Sequence, residues 1–245
     1  MTPNMNPDIA DVKLRRSLDD KTAAAIDLLT EAVREFPAIA LANSLGAEDM
    51  VLTDMVIRAG LDIEIFSLDT GRLPAETYDL MAEVQERYDL RLKVYYPNHE
   101  SVEMFVRNHG INAFYDSVEL RKACCHARKV EPLARALAAG KRAWITGLRA
   151  QQSASRAALA VRDFDATHGI EKFSPLADWS EKEVWAYIRL HDVPYNKLHD
   201  RFYPSIGCAP CTRPVTPGED IRAGRWWWED AENKECGLHV KRSGT

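Results

Sequence analysis

Five cysteines carry most of the chemistry this sequence offers. Cys124 and Cys125 are adjacent, and Cys208-Ala209-Pro210-Cys211 is a C-x-x-C. Together they supply four thiolates, the number needed for a tetrahedral zinc or a 4Fe–4S cluster. Structural zinc usually takes two C-x-x-C knuckles, and an adjacent pair bites a single ion awkwardly. A cube of four irons offers separate corners to neighbouring thiolates. The spacing leans toward the cluster and leaves zinc open, and free cysteines that merely pack as small apolar residues are the third reading. Cys236 stands apart, in Lys234-Glu235-Cys236-Gly237-Leu238-His239. Lys and protonated His lower a thiol pKa, and Gly lets the backbone approach a substrate. Local sequence reads equally as an activated nucleophile or as an inert leftover thiol.

Basic residues come next. Lys129 follows the Cys pair by four, Arg149 and Arg156 follow an apolar run ending at Thr146, and Arg213, Arg222 and Arg225 follow the C-x-x-C. Arg forks match phosphate and sulfate oxygens. The chain as a whole carries a formal net charge of −5. Bulk attraction to nucleic acid or anionic lipid is therefore not expected, and a local basic cluster points to a small anionic ligand. Any single Arg of the group is equally at home as surface charge. Asn43-Ser44-Leu45-Gly46-Ala47-Glu48-Asp49 lacks the P-loop pattern, yet it can present backbone N–H groups to a phosphate at a helix N-terminus. Leu68-Asp69-Thr70-Gly71 is a similar turn, and both also read as plain structural turns. Trp226-Trp227-Trp228 cannot all face one core, and packing of the tail is favoured over ligand stacking.

The elements that must position these residues alternate. Arg16 to Phe36 has helical spacing and is stopped by Pro37. Ala38 to Ala42 is a continuous apolar run, as expected of a strand buried on both faces. Ala47 to Ala59 reads as a helix with acids in its first turn, closed by Gly60. The cycle repeats with strands at Ile63 to Leu68, Leu90 to Tyr95 and Ala143 to Thr146, and helices at Pro74 to Tyr88, Ser101 to Asn108 and Ala127 to Ala139. Ser180 opens another helix with a capping box to Glu183, running to about His191. The pattern predicts an α/β fold, a mostly parallel twisted sheet with helices on both faces, plus a C-terminal tail. Ligands in such folds bind at the carboxyl ends of the strands.

A chain of 245 residues fits one large domain with a small appendage. No apolar run is long enough to span a bilayer, and the first residues are not those of a secretory signal. An odd number of cysteines without such a signal argues against a disulfide framework. Residues 1–15 are expected to be a flexible leader, 16–211 the α/β domain and 212–245 a tail that docks on it. A cytoplasmic location is expected.

Four stretches in order resemble the iron–sulfur branch of the sulfonucleotide reductases, the assimilatory adenylyl-sulfate reductases. They are Cys124-Cys125-His126-Ala127-Arg128-Lys129-Val130-Glu131-Pro132-Leu133, then Gly207-Cys208-Ala209-Pro210-Cys211-Thr212-Arg213, then Pro217-Gly218-Glu219-Asp220 leading through Arg222 to Gly224-Arg225-Trp226-Trp227-Trp228-Glu229, and Glu235-Cys236-Gly237-Leu238-His239. The resemblance covers nearly the whole chain after the leader. It implies an adenine nucleotide alpha hydrolase-like fold, with Cys124, Cys125, Cys208 and Cys211 holding a 4Fe–4S cluster. It implies that Cys236 attacks the sulfur of adenosine 5′-phosphosulfate (APS), releasing AMP, and that thioredoxin then frees sulfite. Lys129, Arg156, Arg222 and Arg225 match positions near the phosphosulfate, and Asp49, Leu68, Asp69, Thr70 and Gly71 match positions at the nucleotide. A homo-oligomer is compatible with the family. Reduction of the 3′-phosphorylated substrate (PAPS), or of both, is the alternative. A redox or metal sensor would leave Cys236 and the arginines without a task, and an ATP pyrophosphatase of the same fold would not explain Cys236.

Overall fold

The structure, a computed structural model, describes residues 12–152 and 158–230. Six strands form one sheet in the order β3-β2-β1-β4-β6-β5. They are β1 (Ile39–Ala42), β2 (Glu64–Leu68), β3 (Lys93–Tyr95), β4 (Ala143–Ile145), β5 (Arg162–Asp165) and β6 (Ile170–Phe173). All neighbours are parallel except β5 and β6. From β1 the chain winds outward through β2 to β3, then returns to lay β4 on the other side of β1. The sheet therefore has its topological switch point between β1 and β4, where the carboxyl ends of two strands open a crevice.

The helices are α1 (Val12–Glu35), α2 (Ala47–Arg58), α3 (Ala75–Tyr88), α4 (His99–His109), α5 (Val118–Cys125), α6 (Glu131–Ala138) and α7 (Glu181–His191). The main core gathers Leu29, Ile39, Leu41, Met50, Val51, Leu52, Ile145, Trp179 and Tyr187, all nearly inaccessible. The capping box at Ser180 forms as expected: its side chain accepts from the Glu183 N–H, and the Glu183 carboxylate accepts from the Ser180 N–H at 2.7 Å. The same carboxylate accepts from Ser17 and Lys21 of α1, so the cap also clamps two helices together. Those donors outweigh burial and hold the Glu183 carboxyl down at about 2. A second clamp is Asp54 of α2, which accepts from Tyr88 of α3 and Tyr187 of α7, each at 2.9 Å.

The sequence reading and the fold differ in three places. Two strands, β5 and β6, were not expected, because Arg162-Asp163-Phe164-Asp165 has the polarity of a loop. They form an antiparallel edge hairpin instead, where one face meets solvent and charged residues are tolerated. Arg162 lies across Phe36 and Phe173 while pairing with Glu35 and Glu171. Helix α5 was also unexpected; Ser117 caps it by accepting from the Leu120 N–H at 3.1 Å. The helix expected over Ala127 to Ala139 is interrupted at its start: His126–Val130 form a wide π-helical turn between α5 and α6. Such turns insert a residue and re-aim the side chains around it.

Candidate active site

A cavity of about 580 Å³ occupies the switch point. This is within the usual range for a small-molecule site. Its floor is the turn after β1 and the turn after β4. Leu45 sits at φ 62°, an uncommon conformation for a branched residue. It is held there because the Asn43 carboxamide accepts its N–H at 2.6 Å, and Asn43 is pinned in turn to Thr53 at 2.8 Å. The turn aims the start of α2 at the cavity, with Gly46, Ala47 and Glu48 in the wall. The N–H groups of a first helical turn favour an anion.

Asp49 lines this cavity, but its carboxylate serves the protein. It accepts from the Ser44 N–H at 2.7 Å, the Ser44 hydroxyl at 2.5 Å and the Gly147 N–H at 3.0 Å. Burial pushes the Asp49 carboxyl up to about 6, and the hydrogen bonds from Ser44 and Gly147 offset only part of that. Beside it, Arg149 donates to Glu48 at 2.8 Å and to the Trp179 carbonyl at 3.3 Å, so this buried cation bridges the cavity wall to the core.

The turn after β2 contributes Leu68 and Thr70 to the cavity wall. Asp69 and Gly71 build that turn: the Asp69 carboxylate accepts from the Gly71 N–H at 2.7 Å and from the Tyr78 hydroxyl at 2.9 Å, and Gly71 takes a positive φ of 69°. Lys129, Arg222 and Arg225 form the basic side of the cavity. Arg225 donates to the Ile206 carbonyl at 3.2 Å, and its guanidinium lies so close under Gly207 that any Cβ there would overlap it. The loop from Thr212 returns to Arg225 through a β-bridge, closed further by the Arg213–Glu219 pair. Arg156 and Cys236 lie outside the described residues.

The four remaining cysteines come together behind that basic side. Cys124 and Cys125 end α5, while Cys208 precedes a short 3-10 turn that Cys211 ends; all four are buried, between 7% and 9% exposed, and none is in a disulfide. They line one small cavity with Arg72, Arg121, Arg128 and Lys129. On a helix, adjacent side chains diverge, so Cys124 and Cys125 face this space from different angles. The Thr70 hydroxyl is 3.2 Å from the Cys208 sulfur. Burial alone would raise Cys208, but Lys129, the Thr70 hydrogen bond, Arg225 and Arg128 together hold it below the ordinary thiol value. Burial pushes Cys211 the other way, up to about 12. Among the described residues no three Cys, His, Asp or Glu side chains converge as a single metal ion requires. Four buried thiols that share one cavity with four basic side chains are a donor set for a metal centre.

Trp226 and Lys129 line both cavities and so form the partition between them. Trp228 packs against Phe114 and Tyr115. Residues that the motifs did not single out also reach the main cavity: Thr146, Gly147, Trp185, His199 and Phe202. Thr146 and Gly147 follow the end of β4, Trp185 lies in α7, and His199 and Phe202 precede the C-x-x-C.

Sheet order, switch-point cavity and basic wall define a doubly wound α/β protein with a basic-walled cavity beside four clustered cysteines. Residues 38–214 match the phosphoadenosine phosphosulfate reductase domain, and the chain belongs to that family. It is 58% identical over 223 residues to the adenosine 5′-phosphosulfate reductase of Allochromatium vinosum, covering 91% of this chain and 87% of that one. The protein of the same name from Burkholderia cepacia is 54% identical, covering 87% and 85%. Among solved structures, the phosphoadenylyl-sulfate reductase of Candida auris, a phosphate complex, superposes with a TM-score of 0.67 at 31% identity, covering 81% of this chain and 96% of that one. The FMN adenylyltransferase of Candida glabrata shares the fold alone, with a TM-score of 0.60 at 13% identity. Among the described residues, no helix is long and apolar enough to cross a membrane.

Proposed function

We propose that this protein reduces APS to sulfite and AMP, with Cys236 as nucleophile and a dithiol protein of the thioredoxin class as reductant. The observation that carries the reading is the juxtaposition of a nucleotide-sized cavity, its basic side at Lys129, Arg222 and Arg225, and a four-cysteine centre immediately behind it. The names of the relatives favour APS over PAPS.

In the first step the Cys236 thiol loses its proton, and the thiolate attacks the sulfur of APS. A sulfur–sulfur bond forms, the bond from that sulfur to the phosphate oxygen breaks, and the electron pair leaves with AMP. Lys129, Arg222, Arg225 and, from the sequence, Arg156 stabilise the charge that builds on the departing phosphate. They also lower the cost of bringing a thiolate to an anionic substrate. Asp49, Leu68, Asp69, Thr70 and Gly71 shape and line the nucleotide end. In the second step a reductant thiolate attacks the Cys236 sulfur and sulfite leaves with the electron pair. The second reductant thiol then resolves the mixed disulfide, so the reductant ends oxidised and the sulfur reduced.

Cys124, Cys125, Cys208 and Cys211 fit as holders of a 4Fe–4S cluster, which when bound supplies fixed charge and ties α5 to the Cys208–Cys211 turn. In this reading residues 212–245 form the redox tail, the enzyme works in the cytoplasm, and it assembles as a homo-oligomer; of the expected leader over residues 1–15, residues 12–15 belong instead to α1, with Leu14 packed on the core. The test is anaerobic turnover of purified enzyme with APS or PAPS and reduced thioredoxin, scoring sulfite and AMP. Turnover of APS with stoichiometric AMP is expected. Turnover of PAPS alone would move the assignment to the other branch, and turnover of neither would refute it.

A further inference from the structure

Arg121 of α5 and Glu229 form a buried ion pair, with side chains 1% and 3% exposed. It is fork to fork: Nε donates to Oε1 at 2.9 Å and Nη2 to Oε2 at 2.7 Å. Two parallel bonds of this kind fix the plane of the guanidinium. Its carbon lies 4.7 Å from the centroid of the Trp226 ring. The Trp226 N–H donates to the Cys211 carbonyl at 3.2 Å, and the Glu229 N–H donates to the Trp226 carbonyl at 2.9 Å. The carboxylate that holds Arg121 is thus carried on a turn fastened to the C-x-x-C.

A buried pair of this kind is weak evidence for stability, because apolar residues of similar volume often do as well. Arg121 has a second partner within reach. It precedes Cys125 by one helical turn, the spacing at which two side chains on a helix meet. It also lines the small cavity that the four cysteines share, which Glu229 does not. Burial works against the Arg121 charge, but the Glu229 carboxylate and, after it, a hydrogen bond to the Cys125 sulfur hold the guanidinium above its ordinary value. We propose that Arg121 is a positioning residue of the cysteine centre: clamped by Glu229, it donates a hydrogen bond to the Cys125 sulfur and so sets the orientation in which that sulfur meets iron. Arg121 acts through Cys125, and Glu229 acts through Arg121. The inference rests on the four cysteines holding an iron centre. Hydrogen bonds to metal-ligating side chains orient them, and losing one typically costs about 10–100-fold in metal affinity.

The experiment compares three full-length proteins purified anaerobically: wild type, the double variant Arg121→Met/Glu229→Leu, and Arg121→Lys. The double variant removes both charges together, so no unpaired ion is left buried. It is expected to release iron to a ferrous chelator about tenfold faster than the wild type. The iron–cysteine stretching bands of its resonance Raman spectrum are expected to move, because a hydrogen bond to one ligating sulfur is gone. Arg121→Lys keeps the charge but loses the fork, and is expected to change rate and bands in the same sense. Neither Arg121 nor Glu229 lines the main cavity, so AMP affinity should hold in both variants. Faster iron release with the bands unmoved would reduce the pair to packing and overturn the inference, as would unchanged rates. A wild type that carries no iron would overturn the reading of the cysteines and this inference with it. If the double variant fails to fold, Arg121→Lys decides.

Discussion

The carboxylate of Asp49, in the first turn of α2, reaches across the switch point of the sheet and accepts the N–H of Gly147 at 3.0 Å. One buried side chain thereby joins the turn after β1 to the turn after β4, the two edges of the crevice where the nucleotide end of the ligand is proposed to sit. A Cβ at position 147 would overlap that carboxylate and crowd Glu48.

Gly147→Ala should therefore push the two turns apart. Overpacking of this sort costs about 1–3 kcal/mol. Because the strain falls at the cavity floor, AMP binding should weaken about tenfold, equivalent to about 1.4 kcal/mol. Calorimetric titration with AMP checks this, and wild-type affinity in a destabilised variant would show that the crevice edges do not set the nucleotide site.

The same carboxylate gives a pH signature. Burial raises Asp49 to about 6 from an ordinary value of 3.8. An acid with a higher pKa folded than unfolded holds its proton more tightly when folded, so stability falls as pH rises through that window. The penalty is absent below the unfolded value and complete above about pH 6, amounting to about 3 kcal/mol. Denaturant midpoints measured across that range should decline in the wild type and stay flatter in Asp49→Asn. Parallel profiles would mean that Asp49 does not titrate there.

Gly207 probes the basic side without deleting a charge. Its missing Cβ makes room for the Arg225 guanidinium. Gly207→Ala should displace Arg225 and weaken APS binding by about 1–3 kcal/mol, while adenosine, which carries no phosphosulfate, should bind as before. Equal losses for both ligands would place Arg225 in a packing role.

The cysteines separate by function. Cys208→Ser should abolish iron loading, read by iron quantitation and visible absorbance, and lower the melting temperature, because a thiolate donor is lost. Cys236→Ser should retain full iron and lose turnover. Iron retained in the first variant, or lost in the second, would contradict the proposed division.

Most of this was legible in the sequence, for identifiable reasons. Continuous apolar strands and capped helices announce a parallel α/β sheet, and Ser180 with Glu183 fixed the start of α7 to the residue. The hairpin of β5 and β6 was hidden by its charges; its turn is closed by Asp165, which accepts from Thr167 and His168, and by Gly169 at a positive φ. At the site, residue type revealed the thiols and the cations. It could not reveal that Asp49 bonds inward, that Arg149 pairs with Glu48, or that Arg121 meets Glu229, because those partners lie far apart in sequence and only the sheet order joins them.

In the proposed mechanism Cys236 accepts the sulfo group of APS. Its most direct test is intact-protein mass spectrometry of the anaerobic enzyme mixed with APS in the absence of any thiol. Gain of one sulfo group is expected, lost on adding reduced thioredoxin and absent in Cys236→Ser. An enzyme with full iron content that gains no sulfo group from APS would contradict it.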